Sequence, residues 1–257
     1  MQSNVLEYSV SDAICTIALN RPDSLNSFNH ELRMDMLKAI RTAEGDPAVR
    51  VIVFKGNGKG FCAGADLAEG LDRDIEEELK QEYKPFLMAI HDSPKACIAR
   101  VHGCAAGIGA GLAMVCDLVI MSEDAYVYLA FAAIGLIPDG GLNWHLQNAL
   151  GPRKAFETIV EGKRLTADQC LNHGICNEVV PRKNLDQAVG ERAAKIASGA
   201  PLAQAAAKKI LRQVGQLSLS EAINREAEFQ KPLSESEDCR NAVDSFFKKE
   251  KPEFKGT

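Results

Sequence analysis

The residues best able to do chemistry lie together in residues 100–141, RVHGCAAGIGAGLAMVCDLVIMSEDAYVYLAFAAIGLIPDGG. Asp139 is the lone acid of the closing segment Gly135-Leu-Ile-Pro-Asp-Gly-Gly141 and the strongest candidate for chemistry. Upstream, Gly103, Gly107, Gly109 and Gly111 follow a short apolar run at 97–101. Glycines at a strand-to-helix junction let a ligand approach the backbone and leave free N–H groups at the positive end of the helix. Such a turn can hold a developing negative charge.

Other readings compete for the same residues. Residues 103–116 are uncharged and spaced GxxxGxxxG, but His102 and Asp117 bracket a run shorter than the roughly 20 residues a membrane span needs. A dinucleotide-binding turn opening at Gly107 would need glycine where Leu112 stands, and no GK[ST] follows. Packing of a buried helix against a strand also explains the glycines. Pro-Asp-Gly-Gly is ordinary turn chemistry, in which Asp139 could cap a helix starting near Asn143.

The elements that must position this stretch read as strands alternating with helices, then helices only. Residues 5–20 form two short strands meeting at Ser11-Asp12, followed by a turn-rich loop, Asn20-Arg-Pro-Asp-Ser-Leu-Asn-Ser27. Asn29 caps a helix with Leu32, Met36, Ile40 and Ala43 on one face, stopped at Gly45-Asp46-Pro47. A buried strand is expected at 51–54. Four glycines between Gly56 and Gly64 mark a loop whose backbone matters more than its side chains. Residues 71–91 are expected to be helical, and Gly151 and Thr166 to open further helices. A strand is predicted over 175–180, and helix from Asn184 onward, broken at Pro201 and Pro232. This order points to an α/β core, residues 1–195, with a helical unit over 196–257.

With 257 residues, 46% hydrophobic and 25% charged, the composition is that of a globular protein. A net charge of −5 argues against general nucleic-acid binding. No signal peptide, transit segment or terminal S-K-L is seen. The eight cysteines include no C-x-x-C pair and read as reduced core residues of a cytoplasmic protein rather than as a zinc site or disulfide framework.

Four motifs in register resemble the crotonase superfamily, the enoyl-CoA hydratases and isomerases. They are Leu19-Asn-Arg-Pro22 with Leu25-Asn26, Phe61-Cys-Ala-Gly-Ala-Asp-Leu67, His102-Gly-Cys-Ala-Ala-Gly107 through Cys116-Asp117, and residues 135–141. The terminal Phe246-Phe-Lys-Lys and Phe254-Lys255 fit as well. The resemblance implies a spiral of ββα turns, a C-terminal α-helical trimerisation region, and acyl-CoA thioester substrates. It also implies a homotrimer or a dimer of trimers, with no nucleic acid or membrane partner. No metal or redox cofactor is implied, coenzyme A being part of the substrate.

By position, the resemblance makes the N–H groups of Ala65, after Ala63-Gly64, and Ile108, after Gly107, donors to the thioester oxygen. Leu25, Ala63, Gly64, Asp66 and Leu67 match CoA contacts, while Phe246 and Lys249 match residues reaching the CoA of a neighbouring subunit; solvated surface explains Lys249 equally. The two glutamates of hydratases fall at Gly111 and Phe131, which removes the usual water-activating pair. Asp139 matches the acid of family isomerases, and the turn with Trp144 three residues on most resembles the isomerase of phenylacetate degradation. The implied reaction is a proton shift in a 3-enoyl thioester, Asp139 serving as shuttle within an apolar wall of Phe131, Ile134, Leu136 and Trp144. An epoxide-to-oxepin rearrangement is equally compatible. Hydration or thioester hydrolysis, using Asp139 or the acids Glu69, Asp72, Asp74 and Glu76 to Glu78, remains an alternative. So does a non-catalytic acyl-CoA-binding role. The acidic run otherwise reads as a solvated helix start, His102 as a backbone hydrogen-bonding residue, and His145 as structural.

Overall fold

The computed structural model describes residues 3–70 and 74–257, so Asp72 lies outside the described residues. The chain opens with β1 (Leu6–Ser11) antiparallel to β2 (Ile14–Leu19), the turn between them formed by Asp12 and Ala13. In α1 (His30–Gly45) the Asn29 side chain accepts the Leu32 N–H at 3.0 Å, a cap worth about 1 kcal/mol. Its buried face holds Leu32, Met36, Ile40 and Ala43 as the spacing predicts, and also Arg33.

Next come β3 (Val51–Gly56), α2 (Ile75–Glu78), a π-helical turn (Leu79–Tyr83) and α3 (Lys84–Asp92). The central stretch supplies β4 (Ala96–Val101), β5 (Cys104–Ala106), α4 (Ile108–Val115), β6 (Leu118–Ser122) and β7 (Tyr126–Tyr128). A 3-10 turn (Ala130–Ile134) precedes α5 (Leu142–Val160), which kinks at Gly151. The rest is β8 (Arg164–Thr166), α6 (Ala167–Asn172), β9 (Glu178–Val180), α7 (Leu185–Ala197), α8 (Pro201–Leu211), α9 (Leu219–Ser234) and α10 (Glu237–Lys248).

Among the described residues the larger sheet has the order β1-β2-β3-β4-β6-β9 and is parallel from β2 onward; a smaller one has the order β5-β7-β8. β3 is buried on both faces, as parallel strands require. Ile52 and Phe54 join the main core with α1 and α3, while Val51 and Val53 pack with Leu185 and Val189 of α7 on the opposite face. The fold is the crotonase-like ββα spiral with C-terminal helices.

Several expectations need correction. The strand expected over 175–180 is confined to β9, because the N–H groups of Ile175 and Cys176 both turn back to the Cys170 carbonyl. Pro232 lies inside α9 rather than breaking it. Helix does not continue to the end: residues 249–257 run without it, held by the buried Asp238 carboxylate, which accepts the N–H groups of Lys255 (2.7 Å) and Gly256 (2.8 Å). Helix in the 71–91 region is described from Ile75.

Gly109 packs α4 against the preceding glycine-rich loop, and a Cβ there would lie 2.5 Å from the Cys62 carbonyl oxygen. Gly→Ala inside a helix ordinarily stabilises by about 1 kcal/mol. Here the sign should reverse: Gly109→Ala is expected to lower the urea midpoint of unfolding, and a midpoint at or above wild type would refute this packing.

Candidate active site

Four backbone segments stack edge to edge to build the site. Ala63 donates its N–H to Leu25 O at 2.9 Å, Phe28 to Gly64 O at 2.7 Å, and Asp66 to Phe28 O at 3.0 Å. In the next rung Cys62 donates to Cys104 O at 3.0 Å and Ala106 to Cys62 O at 2.9 Å, and Gly107 then donates to Tyr128 O at 3.1 Å. At this seam the N–H groups of Ala65 and Ile108 donate to no protein acceptor among the described residues. Ala65 sits in a one-residue bridge whose partner, Phe28, is bonded through Gly64 and Asp66 instead. Ile108 opens α4, where the helix dipole adds positive character.

Gly64 (φ 106°) and Gly107 (φ 49°) take backbone conformations that side chains resist. They also meet closely, since a Cβ on Gly107 would lie 3.6 Å from the Gly64 Cα. The pair of N–H groups is therefore fixed by backbone geometry. An oxygen gaining negative charge between them is the species such donors stabilise.

The flanking side chains are tied down. Asn26, fully buried, donates to Asn57 O (2.8 Å) and Gly60 O (2.9 Å) and accepts the Arg21 N–H (2.9 Å). Arg21 pairs with Asp66 at 2.7 Å. Burial opposes ionisation of Asp66, but the bonds from Arg21 and the Ala68 N–H outweigh it and hold the carboxyl below its usual range. Leu25 and Leu67 are exposed beside this seam. Phe131 is buried, its ring 3.6 Å from where a Gly107 Cβ would stand. His102 lies with Nε2 3.1 Å from the Gly58 carbonyl, the backbone role read from the sequence.

Asp139 lies in a cavity of about 680 Å³ whose walls include Tyr83, Leu87, Leu136, Trp144 and His145. This is within the usual size of a small-molecule site. The carboxylate does not cap α5: Gly141 holds the cap position without a side-chain bond, and Asp139 Oδ1 is buried without a partner among the described residues. Burial, with the Glu78 charge adding to it, pushes the Asp139 pKa up to about 6. The wall differs from expectation, because Phe131 and Ile134 do not line the cavity; Ile134 is 52% exposed and Phe131 faces Gly107.

The cavity and the N–H pair meet through Gly140. A Cβ there would collide with the Ile108 side chain, and a Cβ on Gly111 would stand 3.0 Å from the Gly140 carbonyl oxygen. Ile108 thus flanks the cavity, and neither it nor Ala65 lines it. Phe246, 76% exposed, and Lys249, at the end of α10, have no hydrogen bond or ion pair to it among the described residues.

Within the acidic segment Asp74, Glu76 and Glu77 do form a solvated helix start, with Asp74 capping α2, but Glu69 and Glu78 turn inward. Arg33, 1% exposed, pairs with Glu69 (3.1 Å), Glu78 (3.4 Å) and Glu82 (2.6 Å), and its guanidinium lies 5.1 Å over the Tyr83 ring. Burial opposes ionisation of Glu82, yet bonds from His30 and Arg33 hold its carboxyl below the usual range. This cluster pins the segment that brings Ile75, Leu79 and Tyr83 to the cavity. Sequence reasoning missed Arg33, which falls on the apolar stripe of α1, and passed over His145, whose position six residues after Asp139 was the available signal.

Two unpartnered backbone N–H groups, joined through Gly140 to a cavity holding a half-buried carboxyl, make this the candidate active site. The chain belongs to the enoyl-CoA hydratase/isomerase family, whose pattern matches residues 9–257. It is 34% identical to a "probable enoyl-CoA hydratase" of Rhodobacter capsulatus over 100% of both chains. It is 31% identical to the 1,2-epoxyphenylacetyl-CoA isomerase of Escherichia coli, over 96% of this chain and 97% of that one. The enoyl-CoA hydratase structure from Bacillus anthracis superposes with a TM-score of 0.93 at 27% identity, covering 98% of this chain and 100% of the other. No helix among the described residues is long and apolar enough to cross a membrane.

The raised Asp139 pKa has a sign for stability. The folded protein holds this proton more tightly than the unfolded chain, so the carboxylate costs nothing below pH 3.8 and its cost is complete above about 6. Asp139→Asn should therefore be more stable than wild type at about pH 8, by roughly 2–3 kcal/mol, and equal to it below about pH 4. Urea unfolding at the two pH values checks this; a pH-independent difference would contradict it.

Proposed function

We propose that this enzyme isomerises 3-enoyl-CoA thioesters to 2-enoyl-CoA thioesters, with Asp139 as proton shuttle. The observation that carries the reading is the unpartnered Asp139 carboxyl in an apolar cavity, packed through Gly140 against the helix that begins at Ile108. The carboxylate takes a proton from C2. The C–H electron pair then delocalises through the carbonyl, giving a dienolate whose oxygen accepts the N–H groups of Ala65 and Ile108. The carboxylic acid returns the proton to C4, and the double bond moves to C2=C3. A pKa of about 6 leaves Asp139 ionised at neutral pH and still able to give its proton back. Each N–H donor would contribute on the order of 3 kcal/mol to the transition state.

Hydration is the competing reading, because the Glu78 charge reaches Asp139 and two acids could share a water. Against it, Glu78 is engaged by Arg33, and position 111 is a glycine that supplies no carboxylate. In D2O, wild type should convert 3-hexenoyl-CoA to the 2-enoyl product with deuterium at the α or γ carbon. Asp139→Asn should slow both by at least about 100-fold. An unchanged mutant would end the role of Asp139, and a 3-hydroxyacyl product without isomerisation would establish hydration instead.

Assembly belongs to the same proposal. The exposed Phe246 and Phe247 on α10, with Leu219 and Ile223 on α9, support a homotrimer or a dimer of trimers in which Phe246 and Lys249 approach a neighbour's CoA. Sedimentation equilibrium should read three or six times the chain mass; a monomer would refute it.

A further inference from the structure

His145 is a polar group that the proposed chemistry does not use. It stands on the first turn of α5 and lines the same cavity as Asp139. Its ring lies edge-on to Trp144, centroids 4.9 Å apart, and faces Gly141. Neither ring nitrogen makes a hydrogen bond among the described residues, whereas His91, on the same wall, has its Nδ1 2.7 Å from Asp92. Burial, helped by the His91 and Arg212 charges, pushes the His145 pKa down to about 4, so the ring is neutral at physiological pH and carries one donor and one acceptor.

A neutral imidazole in an apolar cavity gains little from a hydrocarbon chain, which covers it without satisfying it. A ligand oxygen supplies the missing partner. We propose that His145 is a specificity-determining residue selecting acyl-CoA thioesters whose acyl group carries a neutral hydrogen-bonding oxygen, such as a hydroxyl, carbonyl or epoxide, over plain hydrocarbon chains. The inference rests on the reading of this cavity as the acyl site. It requires no proton transfer by His145, only a hydrogen bond made on binding.

Calorimetric titration with saturated thioesters, which cannot isomerise, separates binding from reaction. The probes are coenzyme A, hexanoyl-CoA and hexanoyl-CoA hydroxylated at each carbon from C4 to C6. Wild type should bind at least one hydroxylated thioester about tenfold more tightly than hexanoyl-CoA. His145→Leu should erase that preference and bind hexanoyl-CoA as well as wild type or better, whereas His145→Gln, which keeps a donor and an acceptor, should retain it. A wild type without preference at any carbon, or a leucine variant that keeps it, would overturn the inference. If hexanoyl-CoA binds no better than coenzyme A itself, the cavity is not the acyl site and the underlying reading falls too.

Discussion

The backbone ladder joining residues 25–28, 62–66, 104–107 and 126–128 is the interaction on which the rest of the structure depends. It consumes the hydrogen-bonding capacity of most peptides in the seam and leaves the N–H groups of Ala65 and, at its edge, Ile108 without protein acceptors among the described residues. Those two are preorganised because their neighbours are bonded; any slippage of one rung would offer them protein acceptors. The buried Asn26 side chain serves the same end, bridging the loops at Asn57 and Gly60 where backbone pairing stops.

Against this rigid element the carboxylate is placed under electrostatic stress. Asp139 lacks the partners that buried acids normally have, whereas Arg33 a short way off has three. An unpartnered buried carboxyl is destabilising when ionised, and a buried arginine without its acids would be more so. Among the described residues the protein gives Arg33 three acids and the Phe28 carbonyl, leaving only Nη2 unbonded, whereas Asp139 has no charged partner and its Oδ1 accepts nothing. That contrast separates a group held ready for a ligand from a group that holds the frame.

Much of the seam was legible in the sequence, because glycine at 64 and 107 takes backbone conformations that side chains resist and at 109 makes room for the Cys62 carbonyl. The Asn29 cap and the apolar face of α1 were legible for the same local reason. Arg33 was not: its burial depends on glutamates 36 to 49 residues away in sequence, and nothing near it announces them. The three-residue strands β5, β7 and β8 were missed since so few residues give no periodicity, their pairing being set by the spiral. His145 was read as structural from its polar helical neighbours, whereas the fold turns that face toward the cavity.

The contact between Gly111 and Gly140 bears on how relatives could exchange one chemistry for another. A side chain at 111 would press on the Gly140 carbonyl and push it back by a few tenths of an ångström, and the turn it belongs to carries Asp139 and bears on Ile108. A substitution that brings a second acid to 111 therefore also displaces the backbone that sets the first one, so the two positions are mechanically coupled. Small adjustments of the 138–141 turn would thus accompany any exchange of chemistry at 111.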